Sequence, residues 1–267
     1  MLTETPYMDD GAASHFALSG ALSEEFEKAL KAKEGFFVSY DVLSERTGGL
    51  PVIDVPLTSL ALQLGRKVSS GGREHTLTRW FLGCGDWGPW LRKIETTPVY
   101  REVEVLLGAD KHYQTSALFQ KFKLHMEMGR PPIRNETLLD TAEKIEAYAE
   151  GVRRLAASIS RQGVVRRSQT SLEDMAVNSG VARPLWVEAT ESEIGAAILA
   201  DGTLARLGPG HHRIAAAKLK NVECVPVEIR LVHADWLKRQ IEETGLAPWP
   251  ALLQGIDNII PAKDRPA

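Results

Sequence analysis

The stretch from Leu207 to Lys220, LGPGHHRIAAAKLK, sets two glycines and a proline directly ahead of two histidines and an arginine, with helix formers behind them. The chemistry such an order can do is anion binding. The first free amides of a helix point outward with a partial positive charge, and glycine lets an anion approach that backbone closely. Gly208 and Gly210 supply this access. His211, His212 and Arg213 add imidazole and guanidinium donors at the same helix start, and Arg213 has the planar fork that grips phosphate in a bidentate way. A plainer need would use the same glycines, close packing of a helix made of IAAAKL, and the pattern alone leaves both readings open.

Phosphoryl transfer at such a loop needs a base for the acceptor and usually a divalent metal held by carboxylates. The acids nearest in sequence are Glu188, Glu191, Glu193 and Asp201. Strand alternation lets only some of them face the loop. Glu188 and Glu191 are the candidates taken forward with His212 as catalytic groups, against the alternative that both line a solvated edge. The metal ligands themselves are not assigned. His233, in RLVHADW, either turns toward a substrate or caps the helix that follows. GCGDWGPW either builds a ligand pocket from Asp86, Trp87 and Trp90 or forms a packed loop. Cys84 has no basic neighbour in sequence and reads as structural. Arg153, Arg154, Arg161, Arg166 and Arg167 form the one basic concentration, a solvated face unless folding sets it beside Arg213.

The elements that must position these residues are clearest in the second half. NETLLDTAEKIEAYAEGVRRLAASIS is predicted helical, capped at Asn135 and Thr137 and divided at Gly151. Beyond a polar excursion from Val164 to Pro184, the spacing predicts a strand over Ile194–Leu199, a turn at Asp201-Gly202 and a strand over Leu204–Leu207. A helix from His211 to Leu219 follows, with a left-handed exit at Asn221 and a closing strand through CVPVEIRLV. In the first half, the first twenty residues read as a loose arm and Ser23 as the cap of a short helix presenting Phe26 and Leu30. FFVSYDVL and REVEVLL are predicted strands, and the Trp-rich stretch between them a long structured loop or a cap of short elements. Thr115–Met128 has helical spacing, and GRPPIRN marks a domain boundary near residues 129–135.

The chain has 267 residues, 43% of them hydrophobic, enough to bury a real core. A net charge of -3 gives no global attraction to polyanions. Cys84 and Cys224 are far apart and outside any CxxC pair, so neither a zinc site nor a disulfide framework is signalled. The acidic N-terminal stretch and the lack of a long apolar run point to a cytoplasmic protein without a membrane partner.

Asp201 to Val227, DGTLARLGPGHHRIAAAKLKNVECVPV, resembles the ParB/sulfiredoxin superfamily, in which a strand leads to a G-x-H-R loop, an alanine-rich helix and a closing V-P-V strand. LAASISRQGVV, from Leu155 to Val165, resembles the helix and glycine that open the ParB N-terminal domain. The resemblance implies an α+β fold: an accessory region over 1–130, a ParB/sulfiredoxin-like domain over 131–245 with a small mixed sheet packed on helices, and a C-terminal tail over 246–267. It further implies that Gly208, Gly210, His211, His212, Arg213 and Lys218 hold the phosphates of ATP or CTP with Mg, as in the CTP-binding and free serine kinase branches. The partner would be an unidentified small-molecule acceptor. His211 stands where sulfiredoxin has its catalytic cysteine, which argues against a sulfinic acid reductase. Pro209 replaces the Asp of many relatives, so that step of the loop supplies no acid. The expected activity is a phosphotransferase or nucleotide hydrolase. A DNA-binding or nuclease module, with nucleic acid as partner, is the second reading, and a non-catalytic sensor or scaffold the third.

Overall fold

The structure is a computed structural model that describes residues 12–32, 36–70, 73–108, 113–134, 137–170 and 193–260. In chain order its elements begin with α1 (Ala12–Lys31), β1 (Phe36–Ser39), α2 (Tyr40–Thr47), β2 (Val52–Pro56), β3 (Leu62–Leu64), β4 (Lys67–Ser70), β5 (Arg73–Thr76), β6 (Trp80–Gly83) and β7 (Leu91–Lys93). They continue with α3 (Pro98–Gly108), α4 (Ala117–Glu127), β8 (Ile133–Arg134), β9 (Thr137–Leu138) and α5 (Ala142–Gln162). The last are β10 (Ile194–Ile198), β11 (Leu204–Arg206), α6 (His211–Leu219), β12 (Cys224–His233), α7 (Ala234–Thr244) and α8 (Pro248–Asn258). The class is mixed α+β, and among the described residues no helix is long and apolar enough to cross a membrane.

Two compact units share the chain. The first gathers residues 1–93, 193–209 and 226–267, and the second gathers 94–192 and 210–225. The first carries an eight-stranded mixed sheet in the order β1-β6-β12-β10-β11-β3-β7, with β2 also on β12. β12 runs parallel to β10 and to β6, and β11 runs parallel to β3, whereas β10 and β11 form an antiparallel hairpin. Five of the eight strands therefore come from the segment expected to be an accessory region. The 129–135 break lies inside the second unit, and residues 248–258 of the expected tail form α8, with Trp249 stacked on Phe26 at 5.8 Å. Pairings over more than a hundred residues leave no local mark in composition, which is why the segments read as separate.

Every residue of β10 and β11 is buried, and Leu64, Leu77, Trp87, Ala197, Leu199, Ala205, Leu207 and Leu231 make one core cluster. Small side chains at this crossing have a reason. A Cβ on Gly195 would lie 2.0 Å from the Leu207 carbonyl oxygen, so only glycine lets the hairpin close.

The second unit is mostly helical, with α6 packed on α3 and α5. REVEVLL is helix here and not strand. Pro98 opens α3, and Tyr100, Val103 and Leu106 are buried at three-residue spacing, which outweighs the short V-E-V alternation. Likewise α5 is one helix, capped by the Thr141 side chain on the Lys144 N–H at 3.3 Å, with Gly151 buried within it, and Asn135 lies outside the described residues. The N-terminal helix starts at Ala12, so Ser23 sits inside α1 and not at its cap, although Phe26 is buried as expected. From Asp201 onward the agreement is close: Gly202 and Asn221 take φ of 92° and 53°, and α6 spans His211–Leu219.

Gly195→Ala is expected to lower stability by about 3 kcal/mol through overpacking of the hairpin. Gly108→Ala, whose Cβ meets nothing within 4 Å, is expected to change it by less than about 1 kcal/mol. Urea unfolding of both variants measures the contrast.

Candidate functional site

The division between the two units falls between Pro209 and Gly210, inside the glycine loop. On the side of the first unit, the shape of the loop is held by Arg206, which is 1% exposed at the end of β11. Its Nη1 donates to the Gly208 carbonyl at 2.6 Å and to that of Pro209 at 3.4 Å, and its Nε donates to Gln63 Oε1 at 3.2 Å. Burial, with the nearby Arg66 charge, pulls its pKa down to about 9, which leaves it cationic at neutral pH. Carbonyl dipoles from the loop are thus its solvation shell. Gly208 has φ of 79°, a conformation that favours glycine whatever space is present. The sequence reading assigned Arg206 no role, although a lone cation inside the apolar run LARL was a visible sign of a buried partner network.

On the side of the second unit, Gly210 takes φ of 91° as the residue that caps α6, and its carbonyl accepts from the Ile214 N–H at 3.0 Å. Ile214, Ala215, Ala216 and Ala217 are buried, so the alanines serve close helix packing as well. His211 and His212 are half-buried, and Arg213 is 8% exposed, so its guanidinium acts away from bulk water and not on an open rim. Lys218 is separated from this group. It lies seven residues along the helix, roughly 10 Å by the rise per residue, and pairs with Glu95 at 2.9 Å. A cation in the last turn complements the helix dipole and does not reach the first turn.

His212 enters a chain of polar side chains from three other elements. Its Nε2 lies 2.9 Å from the Tyr148 hydroxyl on α5, and the rings meet edge-on at 81°. Tyr148 donates to Glu102 Oε1 on α3, and Arg134 on β8 closes on the same carboxylate through Nε at 2.8 Å and Nη2 at 2.7 Å. Because the phenol proton goes to the carboxylate, the Tyr148 oxygen accepts from His212, which places the imidazole proton on Nε2 and makes Nδ1 the basic nitrogen. Burial, reinforced by the Glu102 charge, holds the Tyr148 phenol well above its ordinary pKa. Glu102 and Tyr148 are both buried, and Arg134 also lies over the Phe122 ring at 5.0 Å. No local sequence signal joins these residues.

Glu188 and Glu191 lie outside the described residues. Among the described residues no group of three or more His, Cys, Asp or Glu is arranged to hold a metal ion. Asp201 is exposed in its turn and accepts from the Thr203 N–H at 2.9 Å, a backbone bond that leads in lowering its carboxyl pKa. His233 caps α7, with Nδ1 accepting from the Asp235 N–H at 3.1 Å and Nε2 donating to the Gly85 carbonyl at 2.9 Å. GCGDWGPW is a packed loop: Trp87 is in the core, and Asp86 Oδ1 accepts from the Gly88 N–H at 2.9 Å. Arg153 donates to the Leu106 carbonyl at 3.2 Å, which is a structural use of one of the five arginines.

Comparison with family models, with curated proteins and with solved structures gives no match. The reading of the site therefore rests on its own geometry.

Tyr148→Phe is expected to cost about 2 kcal/mol, since it removes one donor to a buried carboxylate and the acceptor for His212. The raised phenol pKa has a signed consequence. Above about pH 10 an unfolded phenol ionises while the folded one keeps its proton, so stability falls as pH rises through that range. The fall is expected to be shallower in Tyr148→Phe, as read by urea midpoints between neutral pH and pH 11.

Proposed function

We propose that the chain binds nucleotide phosphates at the start of α6 and acts as a phosphotransferase or nucleotide hydrolase of the ParB/sulfiredoxin kind. The observation that carries the reading is the conformation of Gly210. With φ of 91° it leads without a side chain into a nine-residue helix whose first residues are His211, His212 and Arg213. An anion at this point would meet helix-start amides, the His211 imidazole and the Arg213 guanidinium in a setting partly withdrawn from water, where charged hydrogen bonds are strong. Gly208 contributes to the loop through its own left-handed backbone, and the phosphate contacts are assigned to the backbone amides of residues 210–213 and to the side chains of His211 and Arg213, while the His212 side chain is kept for proton transfer.

The same reading gives the other residues narrower roles. His212 is held by Tyr148 through Nε2, so a proton from an acceptor hydroxyl or water would pass to Nδ1. Lys218 is engaged by Glu95 and takes no part at the phosphates. Mg, which the resemblance brings with ATP or CTP, would neutralise phosphate charge when bound with the nucleotide. The described residues do not form a carboxylate set for it.

Isothermal titration of the full chain with ATP, CTP and GTP, with and without magnesium chloride, tests the reading. Saturable binding of at least one nucleotide is expected, with affinity reduced about tenfold in His211→Ala and at least as much in Arg213→Lys, which keeps the charge but loses the fork. No binding by folded wild type, or equal binding by both variants, overturns it.

A further inference from the structure

The second unit holds a cavity of about 470 Å³ lined by α3, α4, Pro132 and β8; it includes no residue of α6, although Glu102 and Arg134 in its wall also belong to the hydrogen-bond chain that ends on His212. This is the size of a small-molecule site. Its wall is divided by chemistry. Val105, Leu118, Phe122 and Pro132 give an apolar surface, whereas Arg101, Lys121, His125 and Arg134 give cationic or proton-binding groups. Glu102 is the one carboxylate in the lining. Its charge is already matched, since both oxygens accept from Arg134 and one also accepts from Tyr148.

We propose that this cavity binds a small amphipathic anion, an oxyanion of the carboxylate or phosphate-ester type carried on an apolar body. Arg101, Lys121 and Arg134 carry three permanent positive charges against the single negative charge of Glu102; Arg134 and Glu102 cancel, so Lys121 and Arg101 leave the lining net positive and set the sign of the ligand. Lys121 and His125 stand one turn apart on the exposed face of α4, and Leu118 and Phe122 alternate with them at the same spacing, so the head and the body of one ligand meet adjacent parts of one helix. Preorganisation supports the assignment. Arg134 is gripped by Glu102 and laid over Phe122 before any ligand arrives, so binding would not have to order it. Arg101 is paired with Glu104 at 2.8 Å and contributes at the rim. This inference does not require the nucleotide reading, because its ligand contacts no residue of α6; Glu102 and Arg134 are shared only as support for His212.

The test is titration of the ¹⁵N-labelled full chain at fixed ionic strength with benzoate, phenyl phosphate, benzamide, benzylamine and inorganic phosphate. Benzoate or phenyl phosphate is expected to saturate, with shift changes centred on α3 and α4, and whichever binds tighter identifies the oxyanion. Benzamide, benzylamine and inorganic phosphate are expected to bind at least about tenfold more weakly, each having lost the charge or the apolar body. Lys121→Ala combined with His125→Ala should weaken the tighter anion by about tenfold. Both side chains are exposed, and an unchanged amide spectrum of the variant shows that it has folded. The proposal is overturned if neither aromatic anion saturates, if the neutral or cationic probe binds equally, if inorganic phosphate matches phenyl phosphate, if the shifts centre on His211–Arg213, or if the folded double variant binds unchanged.

Discussion

The glycine loop depends on the crossing of β10 and β11 at Gly195. The Leu207 N–H donates to the Gly195 carbonyl at 2.7 Å and the Gly195 N–H to that of Pro209 at 3.4 Å, a closeness that a side chain at 195 would forbid. The chain leaving β11 is therefore pinned twice to β10, at Leu207 and at Pro209. Arg206 adds a third restraint by spending its guanidinium on the carbonyls of Gly208 and Pro209. A buried cation without such acceptors would be costly, so the loop and the arginine stabilise each other. The loop is thus restrained as far as Pro209 on the side of the first unit, and the left-handed backbone of Gly210 starts α6 on the side of the second.

In the second unit the corresponding constraint is a buried carboxylate. Glu102 is 6% exposed on α3, and its cost of burial is offset by Arg134, 32 residues on, and Tyr148, 46 residues on. Satisfying one acid thus ties α3, β8 and α5 together and orients His212 through the remaining lone pair of the phenol. The same arrangement turns one wall of the α3–α4 cavity into a fixed guanidinium over an aromatic ring. Stability and binding chemistry here share the same side chains.

How much of this was legible in the sequence follows the range of the interactions. Gly202 and Asn221 announce their turns because a positive φ restricts residue type locally, and the bounds of α6 follow from the glycine before it and the helix formers within it. The packed GCGDWGPW segment and the cap at His233 were also within reach of local reasoning, whereas the rest of the Trp-rich stretch holds β5, β6 and β7, the last two in the main sheet, where a loop or a cap of short elements was expected. Strand pairings such as β3 with β11 were not, since nothing near Leu62 or Gln63 encodes partners at 205 and 206. REVEVLL misled because valine and glutamate alternate for only a few residues, whereas the burial of Tyr100, Val103 and Leu106 has a helical spacing that starts outside that segment. The link from His212 through Tyr148 to Glu102 exists only after folding, and it changes His212 from one donor among several into an imidazole with a defined tautomer.

The claim at the centre of the account is that the backbone from Gly210 into α6 receives phosphate. Amide hydrogen exchange of the full chain, with and without saturating ATP or CTP, reads that backbone directly. Protection gained at residues 210–213 is the predicted result. Unchanged exchange there in a sample that binds nucleotide, or protection confined to other segments, would contradict the account and move the phosphate site elsewhere on the protein.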